Sequence, residues 1–459
     1  METVSTISMN KFTSIPRAFN LKNTNFQDNE NINLLIHGQT VFLFDFLKYD
    51  QEPCTFQILN SSENDGLEVA FNSGSVTVKQ ISNQKEFQDD KNNKGLITLN
   101  GAYYWFSLDS QNQRFCAGIG EARIDTAIYQ YFFEYDKDHP EQWEENKLFL
   151  ESLTQIKLIN SDILPRRLLR DPINQYISLY VKDKDELTMD DVAQNIYLPS
   201  SHLSSTSQIL YNSISGRNFV LDDDDFPDFT EAIKYSIQTP GMWCHKQLIK
   251  KSDEFNKLKP NSKETYLRIT LGENNGESPG IPYVMEIWPV GHYSPVHSHA
   301  DCDAIIRVLH GSIHVSLYPF LNGNNPTIEP FGDADFYEDD VTWISPTLNQ
   351  IHQLKNLETN EDPCITIQCY SYGTENSVHY DYFDYVDSHG KIQQYEPDTD
   401  MDFVEFKELM KLEWKNRTIN ENQVNNKHEM PNMFVFFLNL LTKILFRDDD
   451  DDDDDNDSL

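Results

Sequence analysis

Short apolar alternations broken by turn residues constrain this chain more than any other feature. From Ile32 to Asp109, and on through AIYQYFFEY, stretches such as GLEVAFNSGSVTVKQI place apolar side chains at every second position between Asn, Gly, Ser and Asp. A period of two sends successive side chains to opposite faces of a strand, and no long helical period intervenes. The expected fold there is an antiparallel β-sandwich or barrel. PEQWEENKLFLESLTQIKLI reads as a short helix running into a strand. The alternation returns after Tyr266 in YLRITL, PYVMEIWPV, AIIRVLHGSIHVSLY, VTWISP and CITIQCYSY. FPDFTEAIKYSIQ and GMWCHKQLIKKSDEF precede it and read as helices.

At 459 residues the chain is too long for one core. LDDDDFPDF, with Pro227, suits a boundary before a helix. The expected organisation is a loose arm over 1–30, a β-sandwich over 31–215, a helix-led small β-barrel over 225–415, and a linker, amphipathic helix and acidic tail over 416–459. The class is thus mainly β throughout.

Charge excludes some partners. A net charge of -37 opposes nucleic acid and anionic membranes, because like charges repel. The run MFVFFLNLLTKILF, residues 433–446, is shorter than the ~20 residues a bilayer span requires. Asn439 and Lys443 share one helical face, so the run reads as an amphipathic helix, docked on the protein, a partner or a membrane surface. The first twenty residues show no basic start followed by an apolar core. The six cysteines form no C-x-x-C framework. Both features suggest a cytoplasmic, reducing setting with free thiols, where the Asn416 sequon stays idle.

The chemistry concentrates in GHYSPVHSHADCDAIIRVLHG. His297 and His299, two apart on a strand, share a face and could reach into a barrel together. Neutral imidazoles there suit a divalent transition metal. Two residues could complete the set: His352, on a following strand, and Asp303, which shares strand parity with His299.

These residues resemble the cupin superfamily. Gly291, His297, His299 and Gly311 match the first cupin motif, with Asp303 at the usual glutamate position. Pro346, His352 and Asn356 in DDVTWISPTLNQIHQLKN match the second. Within the cupins, the stretch from about 225 to 400 resembles cysteine dioxygenase. Trp288, then Gly-His and a Ser before H-x-H, keep that family's pattern. YLRITL resembles its Tyr-x-Arg strand, and CITIQCYSY the strand of its active-site tyrosine. The resemblance implies Fe(II) held by His297, His299 and His352. It implies a thiol substrate whose carboxylate Arg268 holds, with Tyr266 beside it and Tyr370 assisting near oxygen. The product would be a sulfinic acid. Ala304 stands where animal members carry a cysteine crosslinked to that tyrosine, and Cys302 is read on the face opposite His299. Gln368 and Thr366 replace a histidine and a serine. On this strand Thr366, Gln368 and Tyr370 fall on one face, Ile365, Ile367 and Cys369 on the other.

Upstream, Trp105 before Ser-Leu-Asp and Gly118-x-Gly120-Glu121 resemble the sandwich module of farnesoic acid O-methyltransferase-like proteins. That likeness implies a binding module with a protein or glycan partner, not methyl transfer. Two other readings remain open at this stage: a cupin of different metal and substrate using Asp303 as a ligand, and a non-catalytic scaffold.

Overall fold

The computed structural model describes residues 18–21, 30–46, 54–88, 102–133, 135–159, 163–255, 257, 259–271, 283–299, 302–323, 329–371 and 383–425. Strands dominate, and nearly all of them pair antiparallel. Two six-stranded sheets form the first unit. One contains Gln39–Phe46, Tyr104–Asp109 and Arg114–Ile119; the other contains Cys54–Asn60, Gly66–Phe71 and Leu153–Leu158. Alternation explains their packing. Phe42 and Phe44 point into the space between the sheets, where they meet Phe56, Phe71, Tyr104 and Phe106. Phe44 and Phe56 approach to 4.6 Å between ring centroids, edge to face. Each buried ring contributes roughly 1.5–3 kcal/mol. Val41 and Leu43, of opposite parity, pack on Trp105 and Cys116 behind the sheet.

The second unit is a small barrel made from an eight-stranded and a six-stranded sheet. Helices Phe229–Gln238 and Trp243–Lys250 lead into it, as expected. They cover Leu267, Ile269, Met285 and Ile365 on its outer surface, together with Phe406 and Met410 of Phe403–Asn425. A third helix, Ser205–Ile214, packs over Ile305, Ile367 and Cys369. The central strand Cys364–Ser371 therefore sends its odd-numbered side chains to the helices and its even-numbered ones into the barrel.

Three boundaries differ from expectation. The expected division at 215 falls too late. Tyr180–Lys182 pairs with Val341–Ile344 of the barrel, and Tyr197–Pro199 pairs in turn with Tyr180–Lys182. Ala18–Asn20, expected in a loose arm, pairs with Ile163–Leu169 at the edge of the sandwich. Phe403–Asn425 continues through the expected linker at 416. The amphipathic run at 433–446 and the acidic tail lie outside the described residues. All six cysteines are buried and none forms a disulfide. Among the described residues no helix is long and apolar enough to cross a membrane.

The Gly118-x-Gly120-Glu121 segment, read as part of a partner-binding module, faces the barrel. Gly120 has φ +77°, and a Cβ there would sit 2.1 Å from the Pro319 carbonyl oxygen, so glycine alone permits the approach. Glu121 donates its backbone N–H to Pro319 at 2.8 Å. Its carboxylate accepts from the Asn349 N–H at 2.6 Å and from Arg123 Nη1 at 3.2 Å. Arg123 also donates to Asn349 Oδ1 at 2.8 Å and to the Ile177 carbonyl at 2.9 Å. Burial pushes the Glu121 carboxyl up to about 7, against the pull of Arg123 and the Asn349 N–H.

Candidate metal centre

Two paired strands build the site. His297 opens His297–Ser298, His299 follows it directly, and His352 lies on Ile351–Lys355, paired across from His297. Register thus sets the third histidine beside the first two. His299 Nε2 lies 3.1 Å from His297 Nε2 and 3.1 Å from His352 Nε2. Two nitrogens each ~2.1 Å from one ion at a right angle would be ~3.0 Å apart, so this spacing suits one shared cation. Among the described residues these three are the group of His, Cys, Asp and Glu able to hold a metal.

The surroundings prepare the rings for that task. His297 Nδ1 is fixed by the Pro295 carbonyl at 3.0 Å, which leaves Nε2 as the free donor atom. Burial lowers the His297 pKa to about 4, against the Pro295 hydrogen bond. Burial, then neighbouring imidazoles, takes His299 and His352 well below their ordinary value. At neutral pH all three are uncharged, as ligation requires. The Asn349 backbone hydrogen-bonds His352, so the residue gripped by Glu121 and Arg123 also touches this ring.

The three histidines line a small cavity. Its walls are mostly aromatic. Tyr266 stacks on Trp288 with centroids 4.1 Å apart, and Tyr370 lies parallel to His299 at 5.9 Å. Tyr266, Arg268 and Tyr370, all singled out from sequence, reach this cavity. They do not stand free in it. Arg268 Nη1 donates to Glu286 Oε1 at 2.9 Å. Gln368 Nε2 donates to Glu286 Oε2 at 2.5 Å, and the Tyr370 hydroxyl donates to Gln368 Oε1. A carboxylate accepts only, so the Gln368 amide must turn its NH₂ to Glu286 and its oxygen to Tyr370. Burial would lower the Arg268 pKa, but the Glu286 carboxylate overrides it and holds the guanidinium charged.

Glu286 was not legible as a site residue in the linear pattern. The available signal was pairing: once YLRITL and PYVMEIW lie antiparallel, Arg268 falls opposite Glu286. Asp303 was expected to share the ligands' face and does not. Its Oδ1 accepts from Ser207 Oγ at 2.6 Å and Ser204 Oγ at 3.0 Å, on the helix side of the barrel. Parity fails because His297–Ser298 belongs to the six-stranded sheet and Asp303–His310 to the eight-stranded one. The same corner overturns the reading of Cys302, which shares a buried apolar cluster with Ala304 and Tyr370.

No protein-family model matches the chain. It is similar to cysteine dioxygenase type 1 of Danio rerio, 24% identical over 107 residues, covering 23% of this chain and 51% of the relative. The chain thus spans about half the length of the curated relative it matches. Among solved structures, the cupin domain of Schizosaccharomyces pombe Cnp3 is 14% identical over 24% of this chain and 65% of that one, with a TM-score of 0.18. Oxalate oxidase in complex with the substrate analogue glycolate is 15% identical over 25% of this chain and 53% of that one, at a TM-score of 0.19. No particular family is shown by these likenesses; the structure itself shows a small β-barrel with three converging histidines.

Proposed function

We propose that this chain is a non-haem iron thiol dioxygenase, which converts a small thiol and O₂ to the sulfinic acid. The reading rests first on the three Nε2 atoms converging within bonding reach of one cation. His297, His299 and His352 would hold the ferrous ion. When bound, an ion with three neutral ligands keeps its full positive charge and offers open positions for thiolate and O₂. Both oxygen atoms enter the product: sulfur is oxidised by four electrons, O₂ is reduced by four, and the thiol proton remains with the sulfinic acid.

The chain's own residues shape that encounter. Tyr266, Trp288, Phe255 and Phe383 wall the cavity and limit water. Tyr370, whose hydroxyl is held by Gln368, sits beside His299 where it can turn toward an oxygen-bearing group. The reading in which Asp303 serves as a ligand loses its support, because that carboxylate is held by two serines. Iron-loaded protein incubated with a panel of small thiols should consume O₂ and yield sulfinate. Turnover no greater than that of His352→Ala with every thiol would reject the proposal.

A further inference from the structure

The Arg268–Glu286 pair bears on what the pocket accepts. From its sequence position Arg268 was expected to present an open cationic fork to a substrate carboxylate. Instead Glu286 Oε1 lies 2.9 Å from Arg268 Nη1, and both residues are more than nine-tenths buried. The second Glu286 oxygen is engaged by Gln368 at 2.5 Å. Gln368 in turn accepts from Tyr370. Arg268 Nε is buried with no partner among the described residues, so the guanidinium meets one carboxylate, and that carboxylate belongs to the chain.

Charge accounting follows. The three histidines are uncharged, and the Arg268 and Glu286 charges cancel. Among the described lining residues no other Lys, Arg, Asp or Glu is present. The pocket's own net charge is therefore zero. A substrate carboxylate would bring a second negative charge beside Glu286, in a buried space where like charges strongly disfavour one another. Drawing Arg268 away from Glu286 would leave a buried carboxylate without its cation.

We infer that Glu286, paired with Arg268 Nη1, offsets the guanidinium charge, so that the pocket takes thiols bearing no carboxylate, such as aminothiols or cysteine blocked at its carboxyl as an amide. The inference rests on the thiol reading above and narrows its substrate class. The chain supplies the anion that the substrate would otherwise bring.

Cobalt(II)-loaded full-length protein gives a readout independent of turnover, because a bound thiolate adds a sulfur-to-metal absorption band. Titrations would compare L-cysteine, L-cysteinamide and 2-aminoethanethiol. The expected result is half-saturation by the two carboxylate-free thiols at concentrations at least about tenfold below that of L-cysteine, a difference of ~1.4 kcal/mol. Glu286→Gln keeps the volume and removes the charge, and should narrow or reverse this ratio. Binding of L-cysteine as tight as or tighter than the other two by the unmodified protein overturns the inference, and that comparison needs no variant. An unchanged ratio in folded Glu286→Gln overturns it as well. If the protein holds cobalt but no thiol produces the band, the thiol reading itself fails and takes this inference with it. That outcome is recognisable because it does not depend on the carboxylate.

Discussion

Replacing Arg268 by Met keeps most of the side-chain volume and removes the cation. Glu286, which is 3% exposed, then loses its donor at 2.9 Å and retains Gln368 alone. Breaking one side of a buried ion pair costs ~3–5 kcal/mol, because a charge is left uncompensated. Protonation offers partial escape. Burial already raises the Glu286 pKa, and Arg268 is the largest influence opposing it, so the variant's carboxyl rises further. Each additional unit corresponds to ~1.4 kcal/mol. A carboxyl whose folded pKa exceeds its unfolded one holds its proton more tightly when folded. Its contribution favours folding at low pH and is lost as pH rises through the folded value. Arg268→Met should therefore be close to the parent at about pH 5 and weakest at about pH 8, where the deficit approaches ~3–5 kcal/mol. Urea unfolding followed by tryptophan fluorescence reads this directly, since Trp288 lines the cavity. Arg268→Met with Glu286→Leu, which removes both charges, should regain most of the loss. A deficit under ~1 kcal/mol that does not change with pH, or a double variant no more stable than the single one, refutes the reasoning.

Three further outcomes follow from other parts of the molecule. Glu121, pushed up to about 7 from 4.5, takes up a proton on folding across that window, so stability should decline as pH rises through it. Glu121→Gln should flatten this slope in thermal melts taken across the same range. Gly120→Ala sets a methyl 2.1 Å from the Pro319 oxygen at a positive φ, and should destabilise the protein by ~1–3 kcal/mol in denaturant titrations. Asp303→Asn should retain full metal content and lose less than ~1.5 kcal/mol, and loss of metal from the folded variant would restore the carboxylate-ligand reading.

That the three histidines meet was legible because strand geometry places them. His297 and His299 are two apart, and His352 lies on a strand whose pairing the second cupin motif anticipates. The two faces of Cys364–Ser371 were legible for the same reason, since one strand keeps one parity throughout. Where the chain turns from one sheet to another that rule lapses, and Asp303 and Cys302 were misplaced there. The boundary was misread because its markers are weak. Tyr180–Lys182 and Tyr197–Pro199 are three residues each, and Ser205–Ile214 has the serine-rich composition of a linker. That helix is specified by its cap, Ser204, which accepts from the Ser207 N–H at 3.0 Å, and by Leu210, Tyr211 and Ile214 facing the barrel. Glu286 was hidden because its meaning comes from a partner eighteen residues away across a strand pair.

The most direct test of the account is X-ray absorption on the iron-loaded protein, with His297→Ala, His299→Ala and His352→Ala measured beside it. The account predicts three imidazole nitrogens at ~2.1 Å and no protein carboxylate, with one nitrogen lost in each variant or the metal released. A carboxylate in the coordination shell, or a parent spectrum unchanged by any one of the three substitutions, would contradict it.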